Sequence, residues 1–292
     1  MITIFTPTYN RAYIIGELYK SLCAQTNRDF EWLIVDDGSN DNTKELIASF
    51  IAENKITIRY ILQENGGKHR AINRGVQEAK GELFFIVDSD DHLSTDCISI
   101  IKNAFQSIQH DSSIAGISGT CCYPDGGKVG GETDVDNVVA SFIDLRAKYH
   151  IKGDLAEVYR TSVLAEFPFP EIEGEKFCPE ACVWYQIACK YKLLFINKNI
   201  YTRDYLPDGL SAKITKIRMQ SPIATMMTYE MVYKSPTSMK RKIKAAINFW
   251  RFYFCSSVSL SKAIQQIGFL NLLFMPLGYY MHCKDLNAKL NE

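Results

Sequence analysis

Three carboxylates follow an apolar segment in residues 84–91, where Asp88, Asp90 and Asp91 lie within four positions. The apolar run is typical of a central strand that is covered on both faces of a sheet. Carboxylates this close repel, and each disfavours ionisation of the others. A divalent cation such as Mg²⁺ or Mn²⁺ relieves this repulsion and takes oxygen ligands. The end of this strand is therefore predicted to bind a metal together with substrate phosphates.

Helix capping is a simpler interpretation of the same residues. Asp90 or Asp91 would then begin a helix predicted over residues 94–108. A cap requires one side-chain acceptor, whereas the sequence supplies three acids. We therefore favour the metal site over the cap.

The elements expected to position these acids alternate between strand and helix. The predicted strands cover residues 2–6, 31–36, 56–62, 82–88 and 114–120, and the predicted helices cover residues 13–25, 68–79 and 178–192. This order predicts an α/β fold with a mostly parallel central sheet and helices on both faces. Ligands of such sheets bind beyond the carboxyl ends of the strands. Residues 121–150 are predicted to be a loop that covers the site or connects substructures.

Two further strand ends carry polar residues. Residues 6–10 follow the first strand, and residues 36–39 follow the second. A carboxylate at a strand end can accept a hydrogen bond from a nucleobase imide or from a ribose hydroxyl. The alternative is that Asp36 and Asp37 only shape the turn. We favour contact with a ligand.

A glycine-rich turn at residues 65–67 leads into the helix predicted over residues 68–79. Backbone N–H groups at a helix start attract phosphate, and Lys68 or Arg70 can neutralise a diphosphate. The P-loop pattern GxxxxGK[ST] is absent from this segment. A solvated helix start remains the alternative interpretation.

Two glutamates lie near the start of the helix predicted over residues 178–192. Glu180 precedes a mostly apolar segment, so we expect it at the mouth of a helix packed on the core. A partly buried carboxylate in that position suits a general base. The alternative is an ordinary first-turn acid favoured by the helix dipole. Glu175 is the rival candidate for the base.

The C-terminal part of the chain has a different composition. Between Met231 and Lys284 the sequence contains eight basic residues and no acidic one, with aromatic residues interleaved at 249, 250 and 252–254. The apolar run 267–281 is shorter than the roughly 20 residues that a membrane span requires. Residues 234–284 are therefore predicted to contact an anionic membrane peripherally. The alternative is a helical tail that packs on the main domain.

Bulk composition restricts the class of protein. The 292 residues suffice for one large domain or for a domain with an appendage. A formal net charge of zero argues against a nucleic-acid partner. The nine cysteines contain no CxxC pair, which indicates reduced thiols. The first strand begins at residue 2 without a charged signal region, so we expect a cytoplasmic protein.

Five motifs occur in a fixed order along the chain. They are TPTYNR at 6–11, VDDGSND at 35–41, NGG at 65–67 with NRG at 73–75, GE at 81–82, and DSDD at 88–91. In this order and spacing they resemble the family 2 glycosyltransferases of the GT-A fold. The resemblance covers residues 1–210 and is strongest over residues 1–100.

The resemblance implies a role for each matching residue. The nucleobase would contact residues 7–9 and Asp37, with Asp37 on the uracil, and Asp91 would lie near the donor sugar or the acceptor. The base motif falls on Glu180, where proline and glutamate replace the family's glutamate and aspartate. Arg203 and residues 204–211 resemble the late loop that folds over the phosphates. The implied donor-binding residues are Pro7, Thr8, Tyr9, Asp37, Lys68, Asp88 and Ser89, the metal ligands are Asp88 and Asp90, and the catalytic residues are Glu180 and Asp91.

The implied activity is inverting, metal-dependent sugar transfer in cell-surface polysaccharide or glycolipid biosynthesis. The donor is a nucleotide-diphosphate sugar, with UDP favoured by family frequency, the metal is Mn²⁺ or Mg²⁺, and the acceptor is a carbohydrate or a lipid-linked sugar. Because the QxxRW motif of processive synthases is absent, we expect transfer of a single sugar. The expected domains are residues 1–211 and a helical extension over residues 212–292. The expected location of the protein is the cytoplasm, at the inner face of the plasma membrane. A sugar nucleotidyltransferase and a non-catalytic carbohydrate-binding or scaffold protein are the alternatives.

Overall fold

The computed structural model describes residues 1–203 and 213–290, with side chains to residue 287. The expected late loop over residues 204–211 and the expected boundary between residues 211 and 212 lie outside these residues. The chain divides into two compact units. Unit 1 comprises Met1–Pro168 and Lys190–Leu206, and unit 2 comprises Phe169–Cys189 and Pro207–Glu292.

Unit 1 is an α/β structure built on one sheet. Its strands are β1 (Ile2–Thr8), β2 (Phe30–Asp36), β3 (Ile58–Leu62), β4 (Leu83–Ile86), β5 (His92–Leu93), β6 (Ile114–Cys122), β7 (Val138–Ala140), β8 (Leu155–Arg160) and β9 (Lys192–Thr202). Its helices are α1 (Ile15–Cys23), α2 (Thr43–Glu53), α3 (Lys68–Glu78), α4 (Cys97–Gln106), α5 (Phe142–Ala147) and α6 (Thr161–Glu166). The predicted α/β class is confirmed.

The sheet has the order β3-β2-β1-β4-β8-β6-β9-β5, and β7 pairs with β9. The strands β1 to β4, β6 and β9 run in one direction, and β5, β7 and β8 run in the other. The sheet is therefore mostly parallel, as predicted. Parallel strands deliver their carboxyl ends to one edge, which is where the predicted polar segments follow β1, β2 and β4.

Helices cover both faces of the sheet, because successive side chains of a strand point to opposite faces. Ile4 of β1 lies in a core cluster with Ile15 of α1 and Ile101 of α4. Phe5, the next residue, faces α3, where a Cβ atom added to Gly75 would lie 2.2 Å from its ring. Both faces of β1 are thus buried, and its three threonines are buried with its apolar residues.

One local prediction is wrong, and one predicted helix is shorter than expected. The predicted loop over residues 121–150 contains β7 and α5, which enclose a small core of Leu145, Leu155 and Phe195. The helix predicted over residues 94–108 is present as α4, which begins at Cys97, after β5 has paired with β9. A two-residue strand of this kind is specified by its distant partner rather than by local sequence.

Unit 2 is helical in its described residues. Its helices are α7 (Ala181–Lys190), α8 (Ile214–Gln220), α9 (Pro222–Lys234), α10 (Met239–Tyr253), α11 (Leu260–Ile267), the 3₁₀ helix Phe269–Phe274 and α12 (Met275–Leu290). No described helix combines the length and the apolar character needed to cross a bilayer. The core of the unit contains Phe249, Trp250 and Phe252, all buried. These aromatic residues therefore do not form the predicted membrane contact, because they pack inside the unit.

The compact units differ from the expected domains chiefly in residues 169–189. The expected boundary leaves residues 169–189 in the first domain, whereas the structure groups them with the C-terminal helices. Glu175 provides a physical reason, because its carboxylate accepts hydrogen bonds from the backbone N–H groups of Ile223 and Ala224 at 2.7 and 2.8 Å. These N–H groups lie at the start of α9, where the helix dipole favours a negative charge.

Candidate active site

Strand pairing brings the predicted donor segments of unit 1 together. Thr8 at the end of β1 pairs with Asp36 at the end of β2, and Phe5 pairs with Ile86 near the end of β4. The backbone N–H of Asp37 donates to the carbonyl of Thr8 at 2.8 Å, which continues this pairing beyond β2. The segments that follow β1, β2 and β4 therefore share one edge of the sheet.

Asp37 is buried, and its carboxylate organises the glycine-rich turn that precedes α3. One oxygen accepts from Gln63 Nε2 at 2.8 Å and from the backbone N–H of Gly66 at 2.9 Å. The other accepts from Asn65 Nδ2 at 3.2 Å and from the N–H of Gly67 at 2.7 Å. Four acceptor positions of a carboxylate are thereby used. A direct bond from Asp37 to uracil would require one of these bonds to break, so the structure points to a role in shaping the turn.

The segment that follows β1 has a hydroxyl and an aromatic ring that could contact a ligand. The hydroxyl of Thr8 is buried and has no hydrogen-bond partner among the described residues. Tyr9 is 46% exposed, and Pro7 beside Thr8 is half-buried. A buried hydroxyl without a partner costs free energy that a ligand can recover. An exposed aromatic ring next to it suits stacking on a nucleobase.

Lys68, the first residue of α3, forms an ion pair with Asp88 at 2.6 Å. Burial by itself raises the pKa of Asp88, but the charge and hydrogen bond of Lys68, together with the charges of Arg203 and Arg11, outweigh it. The pKa of Asp88 therefore lies below its usual value, and Asp88 is ionised. A cation at the start of α3 thus meets the acidic strand end, with the carboxylate of Asp88 as its partner.

Asp90 has the opposite electrostatic environment. Burial and the neighbouring charge of Asp88 raise the pKa of its carboxyl group. Its carboxylate makes no hydrogen bond or salt bridge with another described side chain, and Ser89 between the two acids is buried. A cation placed against Asp88 and Asp90 would relieve this repulsion.

The donor set fits Mn²⁺ or Mg²⁺ shared with a ligand rather than a closed protein site. Among the described residues, no group of three or more His, Cys, Asp and Glu side chains is arranged to hold a metal. Mg²⁺ typically takes one or two carboxylates and completes its shell with phosphate oxygens and water. Asp88 and Asp90 match that requirement.

Asp91 is buried and anchored on β9. Its carboxylate accepts a 2.6 Å hydrogen bond from the hydroxyl of Tyr201, and Arg203 approaches it at 3.9 Å. The same hydroxyl accepts from the backbone N–H of Asp88 at 3.0 Å. The capping alternative is excluded, because α4 begins at Cys97 with Asp96 at its N-cap. These contacts fix Asp91 and, through Tyr201, the acidic loop.

The two candidate bases both belong to unit 2 but differ in their contacts. Glu175 is buried, and each of its oxygens accepts a backbone N–H of α9. Glu180 is half-buried and directly precedes α7, and the N–H groups of Val183 and Trp184 donate to its backbone carbonyl. Since Glu175 already has a structural function, Glu180 is the better candidate.

Tyr201 is the residue of this site that sequence reasoning missed. It lies 110 positions from Asp91, and no local motif marks it. Burial and the charges of Asp88 and Asp91 hold the pKa of its hydroxyl well above the usual value, so Tyr201 is a neutral donor. Only the pairing of β9 with β5, in which Leu93 faces Tyr201, reveals the contact.

Sequence comparison relates the chain to known proteins. Residues 3–130 match the profile described as Glycosyl transferase family 2. The Glycosyltransferase GlyG of Streptococcus pneumoniae serotype 4 is 29% identical over 213 residues, which is 69% of each chain. A GalNAc(5)-diNAcBac-PP-undecaprenol beta-1,3-glucosyltransferase of Campylobacter jejuni is 24% identical over 296 residues, covering 93% of this chain and 92% of that one.

Two solved structures with the same fold contain a nucleotide or a nucleotide sugar. Staphylococcus aureus TarS 1-349 in complex with UDP has a TM-score of 0.62 at 19% identity. The match covers 98% of this chain and 88% of the TarS chain. The mannosyltransferase PcManGT of Pyrobaculum calidifontis, in complex with GDP-Man and Mn²⁺, has a TM-score of 0.58 at 17% identity and covers 96% and 84%. At these identities the likeness establishes the fold alone.

Proposed function

Because the chain belongs to the family 2 glycosyltransferases and has their GT-A fold, we propose that it transfers one sugar from a nucleotide-diphosphate donor to a hydroxyl group. The observation that carries the proposal is the pair Asp88 and Asp90, one ionised and one with a raised pKa, at the shared edge of β1, β2 and β4. This pair suits a metal-bound diphosphate. We propose UDP as the nucleotide, which the UDP complex of TarS supports by analogy.

In the proposed donor site, Thr8 and Tyr9 contact the nucleobase, and Asp37 holds the turn of Gly66 and Gly67 in place. Lys68 lies at the start of α3, where backbone N–H groups also favour phosphate. Ser89 lies between the two acids and shapes the metal side of the site. Mn²⁺ or Mg²⁺ held by Asp88 and Asp90 would supply Lewis-acid stabilisation of the leaving diphosphate.

The proposed reaction is a single displacement with inversion of configuration. The acceptor oxygen attacks the anomeric carbon, and its proton passes to Glu180 as general base. The bond between the anomeric carbon and the diphosphate oxygen breaks, and the nucleoside diphosphate leaves. Asp91 acts as a positioning residue, because Tyr201 and Arg203 hold its carboxylate.

For the acceptor we propose a lipid-linked sugar. The Campylobacter relative, whose name states an undecaprenol-linked acceptor, matches 93% of this chain and supports the proposal by analogy. A role in cell-surface polysaccharide or glycolipid synthesis follows from that acceptor. The expected location at the inner face of the plasma membrane stays a prediction.

The first experiment tests the metal and the donor. We expect UDP to bind the full chain in calorimetric titrations with Mn²⁺ and to bind far more weakly in EDTA. Asp90→Asn should abolish the metal-dependent part of binding and turnover, because an amide is a weaker metal ligand. Asp125→Asn, a change at an exposed acid of the same unit, is the control that should leave both intact. Full activity of Asp90→Asn without metal would contradict the proposed metal role.

The second experiment compares the two glutamates by the same substitution. We expect Glu180→Gln to lower kcat at least about 100-fold without changing UDP affinity, since general base catalysis contributes about 10²–10⁴. Glu175→Gln should lower the free energy of unfolding by about 1–3 kcal/mol, because one backbone N–H of α9 loses its acceptor. The kcat of the folded Glu175→Gln protein should be normal. The reverse pattern would assign the base to Glu175, and analysis of the product distinguishes sugar from nucleotidyl transfer.

A further inference from the structure

Unit 2 exposes a row of large apolar side chains that its core does not use. Phe269, Leu270 and Leu273 of the 3₁₀ helix are 72%, 86% and 79% exposed. Leu277 and Tyr280 of α12 continue the row at 47% and 66%. We call these five residues the apolar ridge. Single exposed apolar residues need no explanation, but a contiguous group marks an interaction surface.

The backbone beneath the apolar ridge is held in place by the core. Asn271 is buried, its carbonyl accepts from Trp250 Nε1 at 2.7 Å, and its side-chain amide donates to the carbonyl of Ile267 at 2.6 Å. Leu272 and Phe274 pack against the same core. The 3₁₀ helix therefore has an inner side tied to the unit and an outer side that presents apolar side chains to solvent.

The first turns of α12 also have an inner side that packs on the unit and an outer side that faces solvent. A Cβ atom added to Gly278 would lie 2.5 Å from Cβ of Trp250, so this side of α12 lies directly against α10. Leu277, Tyr280 and Lys284 are spaced three and seven residues apart, and they share the side away from that contact. The outward side of α12 thus combines an apolar, an aromatic and a basic residue, in that order along the helix.

The charged side chains of residues 231–284 are all basic. Residues 263–281 contain no charged residue, and residues 231–284 contain no acidic one. Lys234 pairs with Glu230 and Arg251 with Asp285. Within the described part of the chain, six of the eight basic residues have no acidic partner: Lys240, Arg241, Lys242, Lys244, Lys262 and Lys284.

This charge pattern distinguishes two occupants of the apolar ridge. A second copy of the chain would bring two uncompensated basic surfaces together, because a twofold interface places the same patch on both sides. An anionic leaflet accepts apolar side chains at its acyl boundary and attracts lysine and arginine at its surface. Tyrosine is favoured at the level of the lipid headgroups.

We propose that the apolar ridge inserts into the interface of an anionic membrane, with Lys284 of α12 and the other lysines and arginines of the unit near the headgroups. The insertion is monotopic, since the 3₁₀ helix and the start of α12 are anchored in unit 2 on their inner side. The contact uses Phe269, Leu270 and Leu273 in place of the buried aromatic residues of α10. It does not depend on the proposed sugar transfer, because it requires no nucleotide.

The test is cosedimentation of the purified full chain with vesicles, measured without a sugar nucleotide. We expect binding to vesicles of phosphatidylcholine with phosphatidylglycerol, and weaker binding to phosphatidylcholine alone. At 1 M salt, where the screening length is about 3 Å, binding should weaken but persist, because burial of apolar surface is not screened. The double variant Leu270→Gln/Leu273→Gln should bind at least about tenfold more weakly.

Ile51→Gln provides the matched control, because Ile51 is an exposed apolar residue of α2 in unit 1. It should bind vesicles like the wild type, and thermal unfolding should establish that all variants are folded. Absence of binding to anionic vesicles at low salt would overturn the proposal, as would wild-type binding by the double variant. A concentration-dependent dimer that the double variant abolishes would assign the apolar ridge to a second copy. None of these outcomes alters the UDP titration, which tests the enzyme separately.

Discussion

At the scale of single residues, neighbouring acids of one loop differ in environment. Asp88 is stabilised in its ionised form by Lys68, whereas burial and Asp88 disfavour ionisation of Asp90. Asp91 is held by Tyr201. Sequence spacing identified the three acids but could not separate these roles, because the partners of each acid come from α3 and β9.

The hydroxyl of Tyr201 provides a test at this scale. Tyr201→Phe removes the hydrogen bond that Asp91 accepts at 2.6 Å and the acceptor of the Asp88 N–H group. We expect the free energy of unfolding to fall by about 1–3 kcal/mol. Because the acidic loop loses its anchor, the Mn²⁺ concentration for half-maximal activity should also rise. Urea unfolding and metal titration of the activity measure the two effects.

Tyr191→Phe is the matched control for this prediction. The hydroxyl of Tyr191 donates to Glu166 at 2.8 Å in an exposed position of unit 1. Its removal should change neither quantity measurably, because water replaces an exposed partner. If Tyr201→Phe lowers stability and leaves the Mn²⁺ dependence unchanged, Tyr201 is a purely structural residue.

At the scale of elements, α3 owes its position to a glycine. Gly75 lies in the NRG motif at residues 73–75, and a Cβ atom there would lie 2.2 Å from the ring of Phe5. The ring is fixed by stacking on Phe84 at 5.0 Å. The close approach of α3 to β1 sets where Lys68, at the start of the helix, meets the acidic loop.

We therefore expect Gly75→Ala to destabilise the protein, whereas a change from glycine to alanine usually stabilises a helix. In a helix interior alanine is more favourable than glycine by about 1 kcal/mol. Here we expect a loss of unfolding free energy of about 1–3 kcal/mol from overpacking, measured in urea. Gly16→Ala in α1 is the control, because its added Cβ would meet only Phe50, at 4.0 Å. A stabilised Gly75→Ala protein would show that α3 can move away from the sheet.

At the scale of the whole molecule, the two units are interleaved along the chain. Residues 169–189 lie between two segments of unit 1 but belong to unit 2. Within unit 2, Glu175 caps α9, and the thiol of Cys182 contacts the hydroxyl of Thr228. A cut at the expected boundary after residue 211 would separate these partners.

We therefore predict that a truncated chain of residues 1–211 does not fold as a complete domain. Residues 169–189 would lose α9, so the buried Cys178 and Cys182 should react rapidly with a thiol reagent in the truncated chain. The full chain, in which both are buried, provides the comparison and should label slowly at these positions. Equal, slow labelling in both proteins would establish residues 1–211 as an independent domain.

Local sequence determined five strands of unit 1, namely β1 to β4 and β6, and the acids that follow β2 and β4. Burial on both faces makes a strand apolar over its whole length, and the chain order of strands and helices dictates a mostly parallel sheet. The order of the motifs then identified the family. These features are readable because each depends on residues close together in the chain.

Only the tertiary structure decided which groups meet across long separations. It paired Tyr201 with Asp91, filled the acceptor positions of Asp37 with the turn before α3, and used Glu175 to cap α9. It also buried Trp250 of one segment and exposed Leu270 of another, although both residues are large and apolar. Composition does not predict which of these segments is buried, because burial depends on which faces of the helices pack against each other.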